Sequence, residues 1–445
     1  MRKIALFFVV AGLLHAAGFR AGAGKIKITP ETPIWLSGYA ARTHPSEGVL
    51  HDLWAKALAL EDGKGRRAVI VTMDLIGLPR SISDSVAARA AKQYGLERSQ
   101  LLLNCSHTHT GPVVRANLSS VYGFSPEQTA VVLEYAKSLE NKLVNVIGAA
   151  LGDLAPASLF TGHGQAAFAI NRRQPTAKGV IIGLNPDGPT DRDVPVLKVE
   201  SRDGKLKAVL FGYSCHNTTL TGEHYKLSGD YAGFAQINLE KSHPGVTAMF
   251  MQLCGADQNP HPRGKLEHAE QHGQTLARAV EEVLKGAMKP VRGGIRTAFL
   301  TTELAFQPHT REQFVEELNS KDKSRVRRAQ AMLRAYDEGR PLRKISYPVQ
   351  AIRLGKDYTV LALGGEVVVE YALRAKREFP KENLVVAGYS NEVAGYIPSL
   401  AVLRGGGYEP ELSQIHNGYP GPFTDDIEET VFEAIHKVLA RVGVK

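Results

Sequence analysis

The chain of 445 residues carries 54 Lys and Arg against 45 Asp and Glu, a formal net charge of +9. With 43% hydrophobic and 22% charged residues and no low-complexity tract, it has the composition of a globular domain with a sizeable core. No arginine-rich block with interleaved aromatics accompanies the charge, which argues against nucleic-acid binding. What remains is a diffuse basic bias, suited to an anionic small molecule or polymer or to peripheral contact with an anionic membrane surface.

Taken in chain order, Met1-Arg2-Lys3 followed by the apolar run Ile4 to Leu14 has the layout of a secretory signal peptide. The run is too short to span a bilayer as a helix. Residues 1–17 are therefore expected to be a cleaved signal and residues 18–445 one domain, secreted or periplasmic. Cleavage near Ala16 or Ala17 is preferred to Ala21-Gly22-Ala23, because Phe19 to Ile28 reads as the opening strand. Three cysteines, Cys105, Cys215 and Cys254, lack C-x-x-C spacing and read as small buried residues at strand ends.

Strands Leu53 to Leu60 and Arg67 to Met73 form a predicted hairpin through Glu61-Asp62-Gly63, and Ser81 or Ser83 caps a helix to Tyr94. Gln100 to Leu103 is a buried strand, from whose carboxyl end Asn104-Cys105-Ser106-His107-Thr108-His109-Thr110-Gly111-Pro112 emerges. Open α/β sheets place their chemistry at such ends. Strand alternation points His107 and His109 to one side and Thr108 to the other, so the pair either shares a metal or divides metal binding from proton transfer.

Ser125-Pro126-Glu127-Gln128 opens an amphipathic helix to about Leu151. Strands Ala157 to Gly162 and Val194 to Glu200 flank a predicted loop bearing Asn171-Arg172-Arg173, and strand Ala208 to Tyr213 delivers Cys215-His216, a second histidine at a strand end. Zinc sites recruit imidazole and carboxylate donors from several strand ends in this way. Asp230 caps a helix to Lys241. Strand Val246 to Leu253 runs into Gly255-Ala256-Asp257-Gln258-Asn259-Pro260, and helix Leu266 to Lys285 follows.

Beyond strand Gly294 to Phe306, Arg311 to Gly339 reads as an exposed helical stretch. Two more strands precede Gly364-Gly365-Glu366 and a helix to Phe379, and Leu384 to Gly388 leads to Asn391 through Tyr396. Taken singly, Glu366 reads as a helix-capping carboxylate, Tyr396 as a core tyrosine, and Arg172-Arg173 as a surface pair. His163, His261 and His272 read as ordinary surface or core histidines. The whole is an α/β fold of mixed sheets flanked by helices.

In their shared order these motifs resemble the catalytic domain of the neutral (alkaline, non-lysosomal) ceramidases. The resemblance runs from Ala21 to about Tyr408 through H-T-H-T-G-P, Asn171-Arg172, Ser228-Gly229-Asp230-Tyr231-Ala232-Gly233, Gly365-Glu366 and Asn391…Tyr396…Tyr408-Glu409. It implies a zinc amidase that cuts the N-acyl bond of ceramide, with one Zn2+ per chain. The implied ligands are His107, His216, Glu366 and Tyr396, with Gly364 where the family has proline. His109, Arg172 and Tyr408 match residues that line the reacting carbonyl, His109 for proton transfer.

Asn259 stands where the family carries a serine; it can donate hydrogen bonds, and joins Arg172 and Tyr408 as an expected oxyanion stabiliser. The immunoglobulin-like domain that follows in the family is expected to be absent. The resemblance thus implies an exported zinc hydrolase of a small-molecule or lipid substrate, with no obligate protein partner. Its rivals are a zinc hydrolase of a non-sphingolipid N-acyl sugar, peptide or ester, and a binding protein with degraded chemistry.

Overall fold

The computed structural model describes residues 18–114 and 124–445; the expected signal segment, 1–17, lies outside them. In chain order the elements that build the layers are β1 (Phe19–Lys27), β2 (Trp54–Glu61), β3 (Arg67–Met73), α1 (Arg80–Tyr94), β4 (Leu101–Cys105) and α2 (Pro126–Gly152). Then come β5 (Ala155–Gln165), the hairpin β6 (Ala169–Thr176) and β7 (Gly179–Asn185), β8 (Asp193–Ser201), β9 (Leu206–Tyr213), α3 (Asp230–Ser242), β10 (Thr247–Gln252), β11 (Gln258–Pro260), α4 (Leu266–Lys285) and β12 (Lys289–Val291). The last part holds β13 (Ile295–Ala305), α5 (Arg311–Glu317), α6 (Lys323–Asp337), β14 (Lys344–Leu354), β15 (Tyr358–Leu363), α7 (Val369–Glu378), β16 (Leu384–Ala387) and α8 (Ile427–Arg441).

Nine strands form one sheet in the order β10-β9-β8-β5-β1-β2-β3-β4, with β12 added to β5; β13-β14-β15-β16 form a second. Neighbours are antiparallel except at the two ends of the large sheet, where β9 pairs with β10 and β3 with β4 in parallel. The apolar faces explain the stacking. Leu58, Ile70, Leu102, Leu210 and Met249 of the large sheet pack on Ile352, Val360 and Val385 of the small one. The outer faces take helices: Val86, Leu139 and Ile147 cover Val69 and Val71, Leu239 and Leu276 cover Val209 and Phe250, and Val431 and Ile435 cover Val349 and Leu361. The result is helix, sheet, sheet, helix, in agreement with mixed sheets flanked by helices.

Local chemistry accounts for most boundaries and corrects others. Ser125 and Gln128 cap α2 reciprocally, as the sequence pattern predicts. α1, however, begins at Arg80 behind Pro79, so Ser81 and Ser83 lie inside it. Asp230 sits inside the first turn of α3 with φ +54, its carboxylate accepting from the Leu220 and Tyr231 amides. The expected loop carrying Asn171-Arg172-Arg173 is strand β6: β11 and β7 pair on its two sides and satisfy a backbone that a solvent loop would leave to water. All three cysteines are buried, Cys105 ending β4 and Cys215 and Cys254 two residues beyond β9 and β10.

The end strands of the large sheet meet over one side chain. The Asn104 amide in β4 donates to the carbonyls of Gln252 and Gly388 at 3.2 and 2.9 Å, and its oxygen accepts from the Gln252 amide at 2.8 Å. Gln252 then accepts from Asn217, which itself donates to Ser106 O. At 0% exposure Asn104 has no water to replace these partners. Asn104→Leu should cost about 3 kcal/mol, since at least two buried backbone groups lose their partner, read as a lower urea midpoint.

Asp257, also buried, accepts from the α7 amide of Val369 and from Asn171 Nδ2. Burial raises its carboxyl from 3.8 to about 7. The folded chain therefore holds a proton that the unfolded chain releases between those values, and this contribution to stability falls as pH rises through the window. Asp257→Asn should flatten that part of the stability profile, measured by denaturant titration near each end of the window.

Candidate metal centre and active site

His107 follows β4 by two residues and takes a left-handed backbone, φ +62, unusual for a residue with a Cβ. The chain is held there by its amide on Leu75 O and its ring on Ile76 O, 2.6 Å from Nδ1. A carbonyl can only accept, so Nδ1 carries a ring proton and Nε2 is the nitrogen left to face the site. His216, three residues beyond β9, is fixed in the same way. Its amide donates to Gln258 O and its Nδ1 lies 3.0 Å from Gly255 O, which again turns Nε2 to the site, where Arg172 Nη1 and the Tyr396 hydroxyl each lie 3.4 Å from it. Gly255 has to be glycine, because a Cβ would lie 2.6 Å from the Ser214–Cys215 backbone. Burial, then Arg172, pushes the His216 imidazole down to about 3.

These two nitrogens face one oxygen. The buried Glu366 Oε2 lies 3.0 Å from His107 Nε2 and 3.3 Å from His216 Nε2. Glu366 is thus not a helix cap; the end of α7 is served by Asp257. Tyr396 stands beside it because the two-residue strands Glu366–Val367 and Tyr396–Ile397 pair in parallel with Glu366 opposite Tyr396. The Tyr396 hydroxyl is 3.4 Å from His216 Nε2 and 4% of the residue is exposed. Asn391, five residues earlier, bonds to β4 through Leu103 and so fixes this loop rather than entering the cluster.

His109 completes the group. Its Nε2 is 3.2 Å from that of His107, and His107, His109 and His216 offer nitrogens all within 4.8 Å of one another. Burial, then the other two histidines, keeps the His109 ring well below its ordinary value and hence neutral. The Gly38 loop packs so closely that a Cβ there would lie 2.3 Å from His109 Nδ1. Strand alternation predicts that His107 and His109 converge; the structure achieves it with a turn, since β4 has already ended. Thr108 does point away, donating to Ser228 O, as does Thr110. The S-G-D-Y-A-G motif therefore clamps the histidine loop.

Two imidazole nitrogens, a carboxylate oxygen and a phenol oxygen thus converge at 3.0 to 3.4 Å. Tetrahedral donors with bonds of ~2.0–2.1 Å lie ~3.3 Å apart, so the set fits a small divalent ion. His163, His261 and His272 lie outside this cluster; His163 pairs with Asp193 and His272 stacks on Phe168.

Arg172 and Arg173 are buried, contrary to a surface pair, and both bond Glu409. Arg172 also donates to the Tyr396 hydroxyl at 3.0 Å and to Asn259 Oδ1 at 3.4 Å. A cavity of about 300 Å³ is walled by Tyr39, Ala40, Ala41, Ile76 and Val393 and includes His107, His109, Glu366, Tyr396 and Tyr408, with Ser413, His416 and Asn417 as further polar groups. Arg172, His216 and Asn259 are not among its walls and stand behind them. Sequence reasoning assigned no part to Glu409, Tyr39 or His416; two adjacent arginines with a glutamate beside Tyr408 were the available signal for the first.

A family model described as neutral/alkaline non-lysosomal ceramidase, N-terminal, matches residues 19–266. Neutral ceramidase of Pseudomonas aeruginosa is 27% identical over 263 residues, 55% of this chain and 37% of that protein. Neutral ceramidase B of Dictyostelium discoideum is 26% identical, covering 56% of this chain and 36% of that one. The chain thus spans little more than a third of the length of these relatives. Among solved structures, a ceramidase complexed with C2 superposes with a TM-score of 0.75 at 19% identity, over 96% of this chain and 76% of that one. The crystal structure of the neutral ceramidase from Pseudomonas aeruginosa gives 0.72 at 21% identity over 96% and 75%. At this identity both show a shared fold.

His107→Ala and His216→Ala should each lower the bound metal well below that of the unaltered protein. Elemental analysis decides it, and full metal retention in both variants would rule out the ligand set.

Proposed function

From membership of the neutral/alkaline non-lysosomal ceramidase family, to which this chain belongs, we propose that it is an exported zinc-dependent hydrolase cleaving the linear amide bond of an N-acyl substrate. The observation that carries this reading is the convergence of the His107 and His216 Nε2 atoms on one buried Glu366 oxygen. A zinc ion held by His107, His216, Glu366 and Tyr396 would polarise the scissile carbonyl and make a water acidic enough to attack near neutral pH.

The remaining steps belong to the chain. Water adds its oxygen to the acyl carbon, the C–N bond breaks, and the products are a carboxylate and an amine. His109, neutral and on the cavity wall, takes the proton from the attacking water and returns it to the leaving nitrogen. Tyr408 lines the same cavity. Arg172 holds the Tyr396 hydroxyl by donation, and behind the wall Asn259 anchors it in turn, its oxygen accepting from Arg172 and Thr218.

Ceramide is the substrate suggested by the relatives' names. A second reading, an N-acyl sugar, peptide or ester, is favoured by Asn259 at the family's serine position, and the complete donor set counts against a retired binding protein. Residues 1–17 serve export, so the mature chain is secreted or periplasmic.

The test is a panel of N-acyl and ester substrates, ceramide included, with and without chelator. Cleavage is expected to need about one zinc per chain, and His109→Ala should lower kcat by about 10²–10⁴ while zinc content stays the same. Turnover unaffected by chelator would refute the proposal.

A further inference from the structure

Arg172 and Arg173 are consecutive on β6, where alternation should send them to opposite faces. The pairing of β6 with β7 shifts register between Asn171 and Arg173, and such bulges re-aim side chains. Both guanidiniums consequently reach one carboxylate. Arg172 Nε donates to Glu409 Oε1 at 2.9 Å and Arg173 Nη1 to Oε2 at 2.5 Å. Exposure is 4% for Arg172, 9% for Arg173 and 1% for Glu409.

The two arginines then diverge. Arg172 turns to the Tyr396 hydroxyl and Asn259, whereas Arg173 directs its other donors to the carbonyls of Gly406 and Val402 at 2.9 and 3.4 Å. One arginine on one glutamate would form a neutral pair. Two on one leave a net positive charge, in a buried setting where charge is poorly screened. The arginine that bonds only Glu409 and backbone is the one without a place in the donor cluster.

We propose that Arg173 is a positioning and charge-balancing residue: by taking up the charge of Glu409 it leaves Arg172 with one net positive charge beside the Tyr396 hydroxyl. This rests on the amidase reading, in which an anion forms at that place during acyl transfer. Interactions present only when the anion has formed raise kcat rather than lower KM.

The test uses the full-length protein, its Arg173→Met variant and the Arg173→Met/Glu409→Gln double variant, each at equal measured metal content. Calorimetry reads the binding of hexanoate, an anion of the type amide cleavage releases, against neutral hexanamide. Glu409→Gln alone is avoided because it leaves two buried like charges. Arg173→Met should weaken hexanoate about tenfold, the scale of one charge a few ångströms away at a partly screened site, and leave hexanamide unchanged.

Adding Glu409→Gln restores the net charge and should bring hexanoate back to within about threefold of the unaltered protein. With a cleavable N-hexanoyl substrate, kcat should follow the same pattern at constant KM. A double variant as weak as the single one, or an unaltered protein that does not prefer hexanoate to hexanamide, would overturn the proposal. If no N-acyl substrate is cleaved yet the hexanoate pattern holds, the amidase reading falls and the charge arrangement stands.

Discussion

Two imidazole nitrogens and a carboxylate oxygen within 3.0 to 3.3 Å form the interaction on which the site depends. Each nitrogen is aimed by a carbonyl that holds its ring's other side, Ile76 for His107 and Gly255 for His216. These backbone contacts act as outer partners that fix tautomer and ring direction. Polar groups this close and this deeply buried have to be held in register by the surrounding fold.

The difficulty is topological, because β4 and the β9-β10 pair lie at opposite ends of one long sheet. Twist brings those ends together, and buried amides fasten them: Asn104 spans β4 and β10, Gln252 reaches the Cys215 carbonyl, and Asn217 reaches Ser106. The connecting loops then run side by side, with Thr108 bridged in parallel to Asn217. A fully satisfied polar network of this kind specifies one arrangement where an apolar contact would permit several. The strained backbone of His107 is tolerated in that setting.

The small sheet brings the remaining donors. β15 leads directly to Glu366, and the loop after β16 returns to place Tyr396 opposite it. Behind them Arg172, Arg173 and Glu409 form a second polar layer whose members are all buried. The converging donors are therefore backed by hydrogen-bonded neighbours rather than by solvent, which keeps their charges effective.

Much of this was legible in the chain. Periodicity located β3, α1, β4, α2, β9 and β10 to within a few residues, and the ordered motifs named His107, His109, His216, Glu366, Tyr396, Arg172, Asn259 and Tyr408, which the structure gathers around one cluster. What the sequence determined by itself was which residues carry chemistry and which segments alternate or repeat, because those are local properties of side chain and spacing. Tertiary structure alone decided the rest. Whether Glu366 caps a helix or faces two histidines, whether Arg173 lies on the surface or on Glu409, and whether Asn171 to Arg173 are loop or strand all depend on which distant segment supplies the partner. Those partners sit up to hundreds of residues away, and only the closing of the sheet on itself brings them within hydrogen-bond reach.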